Sequence, residues 1–500
     1  MLQNTGQDKE YPQYSITSKY ITMHLLLLFL TTLIAGIPLS AQILIIGVNI
    51  VDVEQKKIIK SQNVLVEKGL ITAIGAKIGA PAGTRRINGK GKYLIPGFVD
   101  THVHFFQSGG IFTRPDVYDL RKFSPYSEEI AWTHNNMENQ LRRYTSAGIT
   151  TVVDVGSTIN FLKQRDTFRN KLYAPAIYMT GPLLVTRKSP AFKDLNEDDD
   201  PFYELNSIED ARLFIQKQLP FKPDFIKIGY VLPGLNKDSV ARSYFPLVKA
   251  AIEEAHKVGL RVTVHAVQAL AAELAVETGA NHLAHTPLDE IVTSEFMQLV
   301  KEKNVVISSS LTAFEGYYST FGQWYRLSEK DKKYAHPKPL QSILELKNLP
   351  DTALIESFRR QVVTGIPVIK RQDSMLKMNL KKMIDEGITV ATATDAGNIG
   401  SQHVASYFRE LAAMQNSGIN MWQLLQSATI NGARAVGSQE FGSIKIGKRA
   451  DMVLLSKNPL SGLENWETVE WVFVRGHAWK PADLLKPFAN AKNTNKSLGF

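Results

Sequence analysis

YLIPGFVDTHVHFF, residues 93–106, runs as a buried strand and ends in two histidines one residue apart, His102 and His104. Alternate side chains of an extended segment share a face, so the two imidazoles point one way while Thr101 and Val103 point the other. Two neutral imidazoles on one face form a chelate for a zinc-like metal. Taken alone, the pair reads equally well as two polar groups where the chain leaves the core.

The surrounding sequence sets that strand in a series. GFVDTHVHF is followed by GITTVVDVG (148–156), AIYMTGPLLV (176–185), PDFIKIGYV (223–231), LRVTVHAV (260–267), HLAHTP (282–287), VVISSS (305–310) and ITVATATDAG (388–397), which makes eight candidate strands. Between them lie helical patterns such as YFPLVKAAIEEAHKVG. Strand and helix in alternation imply a parallel sheet, most economically a (β/α)8 TIM-like barrel over residues 96–437. In such a barrel the chemistry sits at the C-terminal ends of the strands. The polar residues there are His102, His104, Lys227, His265, His285 and Asp395. Singly, His265 or His285 reads as a satisfied core histidine and Asp395 as a helix N-cap. Together, at one end of the sheet, they are expensive to bury without a compensating cation.

Outside the barrel, short β-branched runs fill residues 42–95, and GSIKIGKRADMVLLSKNPL and VEWVFVRGHAW give residues 438–485 the same character. The two chain ends are therefore expected to complete one small β-sandwich, followed by a polar tail at 486–500. Two spacers, 186–222 and 311–378, are long enough to act as lids or binding loops.

Composition bounds the function. A chain of 500 residues with 44% hydrophobic and 21% charged residues is globular and long enough for a barrel with an attached module. The net charge of +10 is diluted over a large surface and locally offset by EDDD at 197–200. Without a basic cluster interleaved with aromatics, nucleic acid is not an expected partner. The absence of cysteine removes disulfides and lipidated-cysteine anchors. At the N-terminus, HLLLLFLTTLIAGIPLSAQ (24–42) has the apolar core, Pro38 and small residues of a secretory signal. Cleavage after Ala41 and export follow as expectations, with no stable membrane insertion afterwards. The alternative is an anchor at 24–37, although that run is shorter than the ~20 apolar residues a span needs. Whether the chain starts at Met1 or Met23, and whether it forms a homo-oligomer, stays open.

PGFVDTHVH, IKI, VHA, AHT and TDAG, followed by ATINGARAVG and GSIKIGKRADMVLL, resemble the amidohydrolase superfamily over about residues 43–480, with imidazolonepropionase-like and prolidase-like enzymes as the nearest relatives. The resemblance implies a barrel with a small β-sandwich from both chain ends. It also implies a metal-dependent hydrolase of amide-type C–N bonds carrying one or two divalent metals, zinc being expected. Carried over by residue, it implies that His102, His104 and Asp395 hold the more buried metal and His265 and His285 the outer one. An ammonium cannot ligate a cation, so Lys227 either bears a bridging carbamate, as the resemblance to dinuclear members implies, or lies outside the site. In a mononuclear member His265 would instead ligate the single metal. Asp395 is then the catalytic acid–base, taking a proton from a cation-activated water and handing it to the leaving nitrogen. An Xaa-Pro or other dipeptide is the expected small-molecule substrate. Imidazolone or another cyclic amide is the alternative, and a catalytically silent exported binding protein is a third reading. Prolidase-like relatives carry GGH after the third strand where this chain has LLVTRKSP, so Arg187 and Tyr230 are candidates to grip a substrate carboxylate, or are ordinary loop residues.

Overall fold

A computed structural model describes Met1, residues 42–233 and residues 236–489. The chain divides into two units, Met1–Ala41 and Gln42–Phe500; of the first, only Met1 is described. The expected signal segment therefore lies outside the described residues, as do residues 490–500 of the expected tail. Residues 486–489 belong instead to a helix, Pro481–Ala489.

The central strands are short, β-branched and buried, as strands covered on both faces must be. Phe98–Val103, Ile149–Asp154 and Ala176–Met179 form one parallel sheet. A second parallel sheet runs in the order Phe202–Glu204, Leu183–Val185, Ile226–Gly229, Val262–His265, His282–Leu283, Val306–Ser308, Val390–Ala391. Backbone hydrogen bonds join the two sheets at the site: Thr101 N donates to Thr392 O (3.0 Å), Asp395 N to His102 O (2.8 Å) and His104 N to Ala396 O (2.8 Å). The last strand of one sheet thus lies beside the first strand of the other. On the opposite margin Asp224 N donates to Met179 O (2.9 Å).

Helices cover these strands through apolar stripes. Lys237–Lys257 starts where the Asn236 side chain accepts a hydrogen bond from Ser239 N, and it buries Ala241, Val248, Ala251, Ile252 and Ala255 at helical spacing.

AIYMTGPLLV is not one strand. Ala176–Met179 and Leu183–Val185 belong to different sheets, separated by Thr180, Gly181 and Pro182. Pro182 has no N–H for a ladder, and Gly181 N is taken by the Gln218 side chain (3.1 Å).

The two chain ends come together in one eight-stranded sheet, seven strands following one hydrogen-bonded path and Arg85–Asn88 pairing with Ile43–Asp52 off it. Tyr93–Pro96 is the reason. It pairs in parallel with Ile43–Asp52 and antiparallel with Met452–Leu455, so both ends share one ladder. Ile45, Val48, Ile50, Val64, Leu94, Met452, Leu454 and Phe473 give this sheet its own core. YLIPGFVDTHVHFF therefore crosses from the terminal sheet to the central one at Gly97. A Cβ there would lie 2.0 Å from Thr150 Oγ1, so only glycine allows the two sheets to approach this closely.

The two long spacers are helical. Residues 186–222 include Ile208–Gln218, and 311–378 folds into Glu315–Phe321, Glu329–Tyr334, Pro337–Leu344 and most of the 34-residue helix Thr352–Asp385. The second spacer packs Phe321, Ile343, Ile355 and Val362 against Ile111, Leu120 and Ile399 in a separate apolar cluster. Among the described residues, no helix is long and apolar enough to cross a membrane.

Candidate metal centre

The two histidines of the opening strand are oriented by backbone carbonyls. His102 Nδ1 lies 3.1 Å from Ala284 O, and His104 Nδ1 lies 2.8 Å from Gly156 O. A carbonyl only accepts, so each Nδ1 carries the proton and each Nε2 presents its lone pair. The two Nε2 atoms are 3.2 Å apart and lie 3.0 and 3.1 Å from Asp395 Oδ1. Three lone-pair atoms thus converge on one point, an arrangement that repels itself unless a cation sits among them. Burial, above all, brings His102 down to about 4 against the pull of Asp395, which keeps the imidazole neutral and ligand-competent.

Two more histidines extend the cluster. The His285 ring centroid lies 4.8 Å from that of His102 and 4.6 Å from that of His265. Ligand atoms of His102, His285 and Asp395 all lie within 4.8 Å of one another. His285 Nδ1 is buried without a hydrogen-bond partner. Burial, with the neighbouring charges, brings His265 down to about 3 and His285 well below the usual imidazole value.

Lys227 lies on the strand next to that of His265, in the ladder that aligns Lys227 with Thr263 and Gly229 with His265. Its Nζ is buried and has no hydrogen-bond partner. Burial pushes its pKa down to about 7, with Asp395 pulling the other way. An ammonium, with three donors and no acceptor, is costly to bury unpaired.

All six of these residues line a single cavity of about 640 Å³. Arg187 also lines it, from an exposed position. Tyr230 does not. Lys227 and Gly229 face the cavity, so strand alternation turns Tyr230 outward, where its buried hydroxyl donates to Ala241 O of the covering helix.

Sequence reading missed the residues that hold Asp395 in place. Asp395 adopts φ +56°, the left-handed region that aspartate tolerates better than most residues. Asn398 Nδ2 donates to Asp395 Oδ1 (2.7 Å), while Asn398 Oδ1 accepts from Arg114 Nη1 (2.6 Å) and from the Tyr317 hydroxyl. Arg114 also donates to the Tyr317 oxygen (2.8 Å) and grips Asp116 with two parallel bonds of 2.8 and 2.6 Å. Four of its five N–H groups are therefore committed, and Arg114 is a scaffold rather than a substrate clamp. Beneath them, buried Asp100 accepts from His102 N (3.3 Å), Thr394 N (3.2 Å) and the Thr394 hydroxyl (2.8 Å), tying the strands of His102 and Asp395 together. Burial drives Asp100 up to about 8. Asp154 does the same for the turn after His104, accepting from Phe105 N (3.0 Å) and Gly156 N (3.1 Å), and burial raises it to about 7. Asn398 follows TDAG directly and was legible as a neighbour of Asp395. Arg114 lies in an irregular loop with no periodic signal.

Asn398→Ala is expected to lower kcat or metal affinity about 10- to 100-fold, the usual effect of losing a group that orients a ligand. Steady-state kinetics with zinc titration measures it; unchanged kcat and affinity would show that Asp395 needs no such support.

A model of the amidohydrolase family matches residues 93–479. The chain is 25% identical to the imidazolonepropionase of Symbiobacterium thermophilum over 401 residues, covering 75% of this chain and 77% of that protein. It is 24% identical to the imidazolonepropionase of Bacteroides thetaiotaomicron over 422 residues, 81% of this chain and 87% of that one. In fold it is similar to an Xaa-Pro dipeptidase solved with bound methionine in the active site, with a TM-score of 0.65, 20% identity and coverage of 88% of this chain and 100% of the other. With a family match over well over half its length, the chain belongs to the amidohydrolase family and is a hydrolase of carbon–nitrogen bonds.

Proposed function

We propose that the chain is an exported, dinuclear zinc hydrolase of dipeptide-like amides, with Xaa-Pro bonds the leading candidates, built on a closed (β/α)8 barrel. The observation that carries this reading is the convergence of His102 Nε2, His104 Nε2 and Asp395 Oδ1 beside the buried, unpartnered Nζ of Lys227. Backbone bonds on both margins of the two parallel sheets support closure of the barrel, and the separate core of the terminal sheet supports its curling into a sandwich.

His102, His104 and Asp395 would hold one zinc, His265 and His285 the other. Lys227 would bridge them as a carbamate, its amine adding to carbon dioxide with formation of an N–C bond and release of one proton. Bound zinc supplies Lewis acidity, lowering the pKa of water and polarising the substrate carbonyl. The Asn398 side chain donates to Asp395 Oδ1, which would leave Oδ2 to accept the proton of the attacking water and return it to the leaving nitrogen. With Arg114 committed to Asp116, the exposed Arg187 is the cation at the cavity best placed to meet a substrate carboxylate.

The test is a panel of Xaa-Pro and other dipeptides, lactams and imidazolones, incubated with zinc-loaded protein. Dipeptide cleavage supports the proposal, ring opening alone supports the cyclic-amide alternative, and no turnover by metal-loaded protein supports the silent binding protein. Export rests on the apolar run that ends in PLSAQ. N-terminal sequencing of exported material is expected to start near Gln42, whereas a membrane-held chain retaining Met23 to Ala41 would be anchored.

A further inference from the structure

A second cavity of about 290 Å³ adjoins the metal centre. Leu288, Leu311, Ile369 and Leu376 give it an apolar lining, and Trp324 forms a further wall. Apart from Leu288, these residues come from the 311–378 spacer. Phe314 and Tyr318 line both cavities. The Phe314 ring centroid lies 6.3 Å from that of His285, so a single aromatic ring separates the apolar pocket from the metal cluster.

The Trp324 wall is built in. Its indole lies over Gly322, where a Cβ would fall 2.0 Å from Cζ3, so any larger residue would push the ring off its seat. The indole is also 43% exposed, a large apolar surface left facing solvent where an incoming group can cover it. Glu315, Lys370, Gln372, Asp373 and Lys377 also line the pocket, giving the mixture of an apolar lining and polar groups found in small-molecule sites.

We infer that this pocket is a substrate subsite for a bulky apolar group, aromatic or branched aliphatic, carried close to the scissile C–N bond. The inference rests on the hydrolase reading above and narrows its substrate class. It gives the helical spacer a role in selecting the side chain while the central strands supply the chemistry.

Zinc-loaded enzyme is expected to hydrolyse dipeptide substrates bearing Phe or Leu at least about tenfold better in kcat/KM than the Gly counterparts. Ile369→Trp fills the pocket from a half-buried position, and it should bring that ratio near one by lowering kcat/KM for the Phe and Leu substrates. Gly322→Ala, which displaces the indole, is the second variant should the first fold poorly, and it should also lower the ratio. A readout independent of turnover is tryptophan fluorescence during titration with N-benzoylglycinamide. The signal should saturate in the wild type and vanish in Ile369→Trp, with Trp324→Phe identifying its source. A saturable Trp324 signal without hydrolysis of any substrate would uphold the subsite and remove the dipeptidase reading. Equal rates for Phe and Gly substrates, or a fluorescence change that survives Ile369→Trp, would overturn the subsite.

Discussion

Lys227→Ala is expected to bind one zinc instead of two and to lose on the order of 100-fold or more in kcat/KM, while its circular dichroism stays that of the wild type. Lys227 Nζ is buried beside the ligand cluster with no acceptor to receive its protons. Burial already pushes the amine down to about 7, which leaves a substantial neutral fraction able to add carbon dioxide. Carboxylation would replace an unsatisfied donor with an anion among the metal-ligating groups, and removing the side chain would then remove the proposed bridge. Acetate added with excess zinc should restore part of both metal content and rate by supplying the missing oxygens. A variant that keeps wild-type turnover with a single zinc would rule out the bridge and favour a mononuclear centre in which His265 ligates the one metal.

His102→Ala combined with His104→Ala is expected to abolish zinc binding and to lower hydrolysis more than about 1,000-fold, with a thermal midpoint within a few degrees of the wild type. The two imidazoles supply two of the three converging lone pairs, and Asp395 alone cannot replace them. Each substitution also removes a hydrogen bond to a backbone carbonyl, Ala284 O or Gly156 O, a loss of about 1 kcal/mol apiece. Relief of the crowded acceptors offsets part of that loss. The core is made by the apolar residues of the strands, such as Val99, Val152, Ile228 and Val264, which the variant keeps. Zinc analysis and differential scanning calorimetry on the same preparation separate metal loss from unfolding.

The sequence made the candidate metal centre legible because most of its donors sit in or just after strands, where period-two alternation and a run of apolar residues fix position and direction. His102, His104, Lys227 and His265 reach one cavity for that reason, and His285 and Asp395 join them from the segments that follow their strands. Tyr230 shows the limit of the same rule. It follows the cavity-facing Lys227 and Gly229 on its strand, and parity alone assigns it to the helix side. The break inside AIYMTGPLLV was hidden because apolar residues continue on both sides of Gly181 and Pro182, and only the second strand's change of sheet reveals it. The single terminal sheet depends on Tyr93–Pro96 serving both chain ends, a long-range pairing with no local pattern. Arg114, Tyr317 and Asn398 come together from three separated loops or helices, and no spacing rule links them. What the sequence could mark was the length of the 311–378 spacer. Its four helices and the second pocket they line emerge only from packing.

The central claim is that this cluster is a two-zinc centre, and zinc counting after equilibrium dialysis tests it most directly. Protein stripped with chelator, dialysed against zinc and carbon dioxide, and analysed by elemental mass spectrometry should hold two zinc ions per chain. A protein that holds one zinc per chain, or none above background, under those conditions would contradict the account.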